Sequence, residues 1–124
     1  MNWQTTLKRE YSREELENVT FEVQKNDKET DIVMRVNGMR SGYLNTAHTP
    51  KLVEEFKSAK IVDMYINEGL RGKGFGKEMY NKLLVNLPPG VEKLYGQWEN
   101  ENAKSFWKYM GFTIDGKRII KKIK

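Results

Sequence analysis

The chain has 124 residues and no cysteine, which removes disulfides, a thiol nucleophile and any cysteine-based zinc site, and its single histidine, His48, cannot form a metal-binding cluster. One domain of this length buries roughly two thirds of the surface exposed by its unfolded chain, enough for a core without covalent staples. The formal charge is +5, of which +4 falls in Asp115 to Lys124, so the body is nearly neutral and a nucleic-acid partner is disfavoured.

No apolar run approaches the length of a membrane span, and the N-terminal MNWQTTLKREY lacks the apolar centre of a signal peptide, so the expectation is a cytoplasmic protein without membrane contacts. In chain order, Met1 to Tyr11 reads as a short extended piece. Ser12-Arg13-Glu14-Glu15 reads as a capping box opening a brief helix. Val19 to Lys25 alternates Val19, Phe21 and Val23 against polar residues, and Asn26-Asp27 ends that strand. Asp31 to Val36 repeats the pattern, Asn37-Gly38 supplies a two-residue turn, and Met39 to Asn45 returns, giving an antiparallel meander. Thr49-Pro50 then caps a short helix with Leu52, Val53 and Phe56 on one side.

The stretch Ile61 to Gly76, IVDMYINEGLRGKGFG, organises the rest. Val62, Met64 and Ile66 recur every second residue, opposed by Ile61, Asp63 and Tyr65, which predicts a strand covered on both faces. Phe75, Met79 and Leu83 recur at helical spacing with Tyr80, Leu84 and Leu87 beside them. Between strand and helix, Gly72, Gly74 and Gly76 let a ligand approach main-chain N–H groups, and Arg71 and Lys73 add two cations. A helix start carries unpaired N–H groups and a positive dipole end, so the crowding of glycine and cations there predicts a diphosphate site. Two better-known phosphate loops do not fit. Gly76-Lys77 is followed by Glu78 rather than Ser or Thr, and the third glycine of a dinucleotide fingerprint would fall at Lys77. Glycines kept for tight packing are the competing explanation.

Further on, Pro88-Pro89-Gly90 interrupts the chain and Lys93 to Trp98 forms a strand. Ala103, Phe106, Trp107 and Met110 share one helical stripe, with Gly111 as C-cap. Phe112 to Ile114 and Arg118 to Ile123 flank Asp115-Gly116 as a closing hairpin. The lysines of that last segment suit the phosphates of a ligand, an acidic protein or nucleic acid; equally, they suit a solvated edge strand guarded against aggregation.

Arg71-x-x-Gly74-x-Gly76 resembles the acyl-CoA signature of the GNAT superfamily of N-acyltransferases, and Asp63-Met64-Tyr65-Ile66 resembles that family's fourth strand. Asn100, Ala103, Gly111 and Phe112 match a second block, N-x-x-A…G-F, at the family spacing. The resemblance implies an α/β fold with a mixed, mostly antiparallel central sheet and helices packed on its faces. It also implies acetyl-CoA as co-substrate and direct acyl transfer to an amine acceptor, either macromolecular or small. Main-chain groups near Met64 and Ile66 would hold the pantetheine arm and stabilise the developing oxyanion. The loop Arg71, Gly72, Lys73, Gly74, Phe75 and Gly76 would cradle the diphosphate, and Asn100 would bond the arm unless it serves only as a helix cap. The family's usual helices after its first strand have little room here. Either the Ser12 helix replaces them or the meander leaves the acceptor side open, which predicts a compact form with reduced N-terminal acceptor helices.

Acyl transfer to an amine needs a proton acceptor, because a lysine amine with a pKa of about 10.4 is mostly protonated at neutral pH. Asp63, Glu68, Glu99 and Glu101 are the nearby carboxylates, and Asp63, mid-strand, is either functional or tied to a structural partner. For the thiolate's proton the family often has a tyrosine seven residues after the Asn of its second block, where this chain has Trp107. Indole cannot supply a proton, so Trp107 is expected along the cofactor or in the core, and Tyr65, Tyr95 or water is the candidate acid. Tyr109 lies about 200° round the helix from Trp107 and is expected to face away. Trp107 also motivates a different class of function, a catalytically silent acyl-CoA-binding or interaction module; a basic nucleic-acid-binding protein is the third reading.

Overall fold

A computed structural model describes residues 18–124, so the extended piece and the Ser12 capping box expected near the N-terminus lie outside the described residues. The elements are β1 (Val19–Lys25), β2 (Glu29–Val36), β3 (Met39–Ala47), α1 (Pro50–Phe56), β4 (Ser58–Ile66), a 3₁₀ turn (Glu68–Leu70), α2 (Phe75–Leu84), β5 (Lys93–Gln97), α3 (Glu101–Tyr109), β6 (Thr113–Asp115) and β7 (Arg118–Lys122). Among the described residues seven strands form one mixed sheet in the order β1-β2-β3-β4-β5-β7-β6, antiparallel except for β4 beside β5.

The meander forms as its alternation dictates. Asn37 and Gly38 take positive φ, 51° and 81°, so the two-residue turn carries the twist of the strands it joins. The Thr49 side chain accepts the Leu52 N–H at 3.3 Å and starts α1 with Pro50 in its first turn. Ile32, Met34, Leu44, Ile61, Leu94 and Ile119 then line one sheet face, all buried, against Phe75, Met79, Tyr80 and Leu83 of α2 and Trp107 of α3. His48 is buried, its Nε2 2.8 Å from the Thr30 hydroxyl, and belongs to the framework at the base of β2 and β3.

The site strand departs from strict alternation. Thr46 pairs with Ile61 and Asn45 with Asp63, which leaves Val62 as an extra residue on β4. A bulge of this kind shifts the period by one, so Ile61 and Met64 face the core together. Among the described residues the expected cover on both faces is therefore missing: Val62 is 53% and Tyr65 46% exposed. Beyond the bulge β4 also parts from β5. The two are paired only over Ser58–Lys60 and Lys93–Tyr95, and among the described residues the remainder of β4 has no strand on that side.

The basic C-terminal strand is not the sheet edge that its lysines suggest. β7 runs between β5 and β6, and β6 is outermost. Lys121 is anchored: its Nζ donates to the Met110 carbonyl at 2.8 Å and lies 5.1 Å from the Tyr80 ring centroid, closing the C-terminal end of α3. Lys122 is exposed. Lys121→Met is expected to lower stability by about 1–2 kcal/mol in urea denaturation, and Lys122→Met by less than about 0.5 kcal/mol. Equal losses would mean that the Lys121 contacts contribute nothing.

Candidate active site

The splay between β4 and β5 opens a cleft of about 870 Å³ that runs from the exposed face of β4 to the start of α2, with α3 as its far wall. Gly74 is the N-cap of α2 with φ 85° and offers no capping side chain, and Gly72 takes φ 74°. Gly74, Phe75, Gly76 and Lys77 all line the cleft, so the first turn of a ten-residue helix borders it. A Cβ on Gly72 would meet nothing within 4 Å, which leaves room for a ligand over this backbone. Gly76 differs from these two. A Cβ there would come within 2.9 Å of the Phe106 ring and 3.0 Å of Met64 Cε, so its missing side chain serves the packing of α2 on α3 and β4.

Arg71 lines the cleft with its Nε donating to the Ile66 carbonyl at 2.8 Å and its guanidinium 5.4 Å from the Tyr65 ring centroid. The loop cation thereby fixes the end of β4. Met64 and Ile66 line the cleft, whereas Lys73 does not. Phe75 lies at the cleft floor, buried, with its ring 6.4 Å from that of Phe21.

Of the carboxylates, Asp63, Glu99 and Glu101 line the cleft; Glu68 is exposed in the 3₁₀ turn and is not part of the wall. Tyr95 also lies elsewhere, on β5 opposite Ile120 of β7, which removes it from the acid candidates. Tyr65 is in the cleft. Beside it stands a residue that the sequence alone did not single out, Tyr43 of β3, whose hydroxyl donates to Asp63 Oδ2 at 2.9 Å while the Met64 N–H donates to Oδ1 at 2.9 Å. The bond to Asp63, then burial, holds the Tyr43 phenol above its ordinary pKa; Glu99 adds to this and Arg40 opposes it.

On the far wall the Asn100 side chain accepts the Ala103 N–H at 2.9 Å, so its oxygen caps α3 while the residue borders the cleft. Trp107 reaches the cleft but is only 3% exposed, wedged among the rings of Tyr80, Phe106 and Phe112 at 6.4, 4.9 and 5.0 Å. Tyr109, expected to face away, borders the cleft too. The stripe of α3 that faces it is Asn102, Phe106 and Tyr109, at i, i+4 and i+7, and Trp107 lies on the flank of that stripe.

A mixed sheet parted between two parallel strands, with a glycine-opened helix at the gap, is the architecture that the family resemblance implies. The chain belongs to the GNAT acetyltransferase family, whose model matches residues 1–112. Among solved structures it is similar to an acetyltransferase from Thermus thermophilus, at 22% identity and a TM-score of 0.63 over 78% of this chain and 66% of that one. It is also similar to the N-acetyl transferase YhhK from E. coli bound to coenzyme A, at 19% identity and a TM-score of 0.62 over 80% and 75% of the two chains. A third is the PaiA N-acetyltransferase from Thermoplasma acidophilum in complex with coenzyme A, at 16% identity and a TM-score of 0.61 over 77% and 61%. At these identities the likeness shows the fold, and the chain spans about two thirds of the length of such relatives. Comparison with the curated proteins finds no match.

Proposed function

We propose that the protein is an N-acetyltransferase that uses acetyl-CoA and passes the acetyl group directly to a primary amine. One observation carries the reading: a single cleft joins the first turn of α2 to the half-buried carboxylate of Asp63. Bound there, acetyl-CoA supplies an acetyl group activated as a thioester. The N–H groups at the start of α2, with Arg71 and Lys77 beside them, would hold the diphosphate by charge and hydrogen bonding. The β4 backbone past Lys60, parted from β5, would bond the pantetheine arm as a neighbouring strand does and polarise the reacting carbonyl. Asn100 and the flank of Trp107 would close the arm's other side. Among the described residues the face carrying Tyr65 and Val62 is exposed, which leaves an approach for the acceptor and favours an amine presented on a macromolecule.

The test is release of CoA thiol from acetyl-CoA with a lysine peptide, a peptide with a free N-terminus and a polyamine, between about pH 7 and 9, where the amines gain their neutral form. Turnover with at least one acceptor is expected. Binding of acetyl-CoA without transfer to any of them would favour a second reading, a silent acyl-CoA-binding module, which the indole at the family's tyrosine position supports.

A further inference from the structure

We propose that Tyr43 is a positioning residue for Asp63, aiming its carboxylate to take the proton of the incoming amine, so that the acceptor chemistry depends on β3 as well as on β4. The inference rests on the acyl-transfer reading above. Asp63 and Tyr43 lie on the open face of the sheet, where Tyr43 is opposite Tyr65 and diagonal to Asp63. A diagonal pair is out of reach for most side chains but within reach of a tyrosine. Both carboxylate oxygens are held, Oδ2 by the Tyr43 hydroxyl and Oδ1 by the Met64 N–H, each at 2.9 Å. Each oxygen keeps a lone pair for a third group.

Tyr43 spends its one hydroxyl proton on Asp63, so its part is orientation rather than contact with the reacting atoms. Its ring is itself fixed, with the Arg40 guanidinium 5.1 Å from the centroid and the Tyr65 ring at 6.0 Å. Glu99 and Glu101, the other carboxylates that line the cleft among the described residues, are exposed on the opposite wall. In the step itself Asp63 takes one proton from the ammonium, which leaves a neutral amine whose lone pair forms the C–N bond as the C–S bond of the thioester breaks; the second N–H proton passes to the departing thiolate through solvent, and Asp63 returns its own proton to solvent when the cycle ends.

Tyr43→Phe, Asp63→Asn and the double variant test this. Tyr43→Phe is expected to reduce kcat about 10- to 100-fold with acetyl-CoA affinity and melting temperature unchanged, and the double variant to be no slower than Asp63→Asn alone. Independent of turnover, ¹³C-tyrosine NMR of ligand-free protein is expected to show the Tyr43 phenol titrating at lower pH in Asp63→Asn than in the parent, with Tyr65, Arg40 and Glu99 still facing it. Additive losses in the double variant, parental kcat in Tyr43→Phe, or an unmoved Tyr43 titration would each overturn the positioning role. A parent that binds acetyl-CoA and acetylates no amine removes the acyl-transfer reading and this proposal with it, whereas an active parent with additive losses removes the proposal alone. Should Asp63→Asn not fold, the kcat-against-affinity split of Tyr43→Phe decides by itself.

Discussion

Gly74→Val is expected to eliminate acetyl-CoA binding measurable by calorimetry while the sheet and core remain folded. Gly74 sits at φ 85° as the N-cap of α2, a backbone region that costs an L-residue about 1–2 kcal/mol and a β-branched one more. The chain can relieve that strain by turning the peptide away from its present course, which displaces the N–H groups of the first turn from the cleft. The added methyls would further occupy the wall that Gly74 contributes. Gly72→Ala is the control, because at φ 74° its methyl meets nothing within 4 Å and its penalty is conformational, about 1 kcal/mol of stability, with acetyl-CoA affinity expected within about fivefold of the parent. A folded Gly74→Val protein that binds acetyl-CoA as tightly as the parent would refute the assignment of the phosphate site to this loop.

The strand–loop–helix course was legible because it is written locally: strand period, glycines, cations and helix period follow one another between Ile61 and Leu83. The meander was legible for the same reason, each turn being written in the residues that make it. What the sequence did not show depends on residues distant in the chain. Val62 fits the alternation of β4 by its letters, and only its pairing with β3 makes it a bulge that exposes Tyr65 and keeps Met64 beside Ile61. Gly76 resembles Gly72 and Gly74 as a letter, but its neighbours are Phe106 and Met64, one of them thirty residues away. Asp63 signalled in advance that a mid-strand charge needs a partner; that the partner is Tyr43 follows from strand register, which alternation alone leaves open. For α3 the helical period was right and its reference was wrong: Trp107 marks the flank turned toward the core, so Tyr109 faces the cleft. The tail lysines misled through topology, because β7 follows β6 in sequence and lies inside it in space.

Trp107→Ala is expected to destabilise the fold by about 3–5 kcal/mol, a large part of the roughly 5–15 kcal/mol that holds a domain of this kind together. The indole is 3% exposed and meets Phe106, Phe112 and Tyr80 edge-on, at interplanar angles of 72°, 66° and 70°, so its removal opens a cavity where α3 joins α2 and the sheet. The urea midpoint measures that loss, and a shift worth less than about 1 kcal/mol would show that the cluster repacks. Trp107→Phe separates packing from chemistry, since it keeps an aromatic ring and removes the indole N–H. If thiolate departure needs no acid, this variant retains kcat within about threefold and loses chiefly acetyl-CoA affinity, through the contact area at the cleft. Trp107→Tyr restores the phenol the family often carries: a kcat above the parent would show that thiolate departure gains from an acid there, and an unchanged kcat that it does not. Loss of kcat in Trp107→Phe with affinity and melting temperature intact would instead give the indole a part in catalysis, and Tyr65→Phe would remain as the test for a cleft phenol acting as the acid.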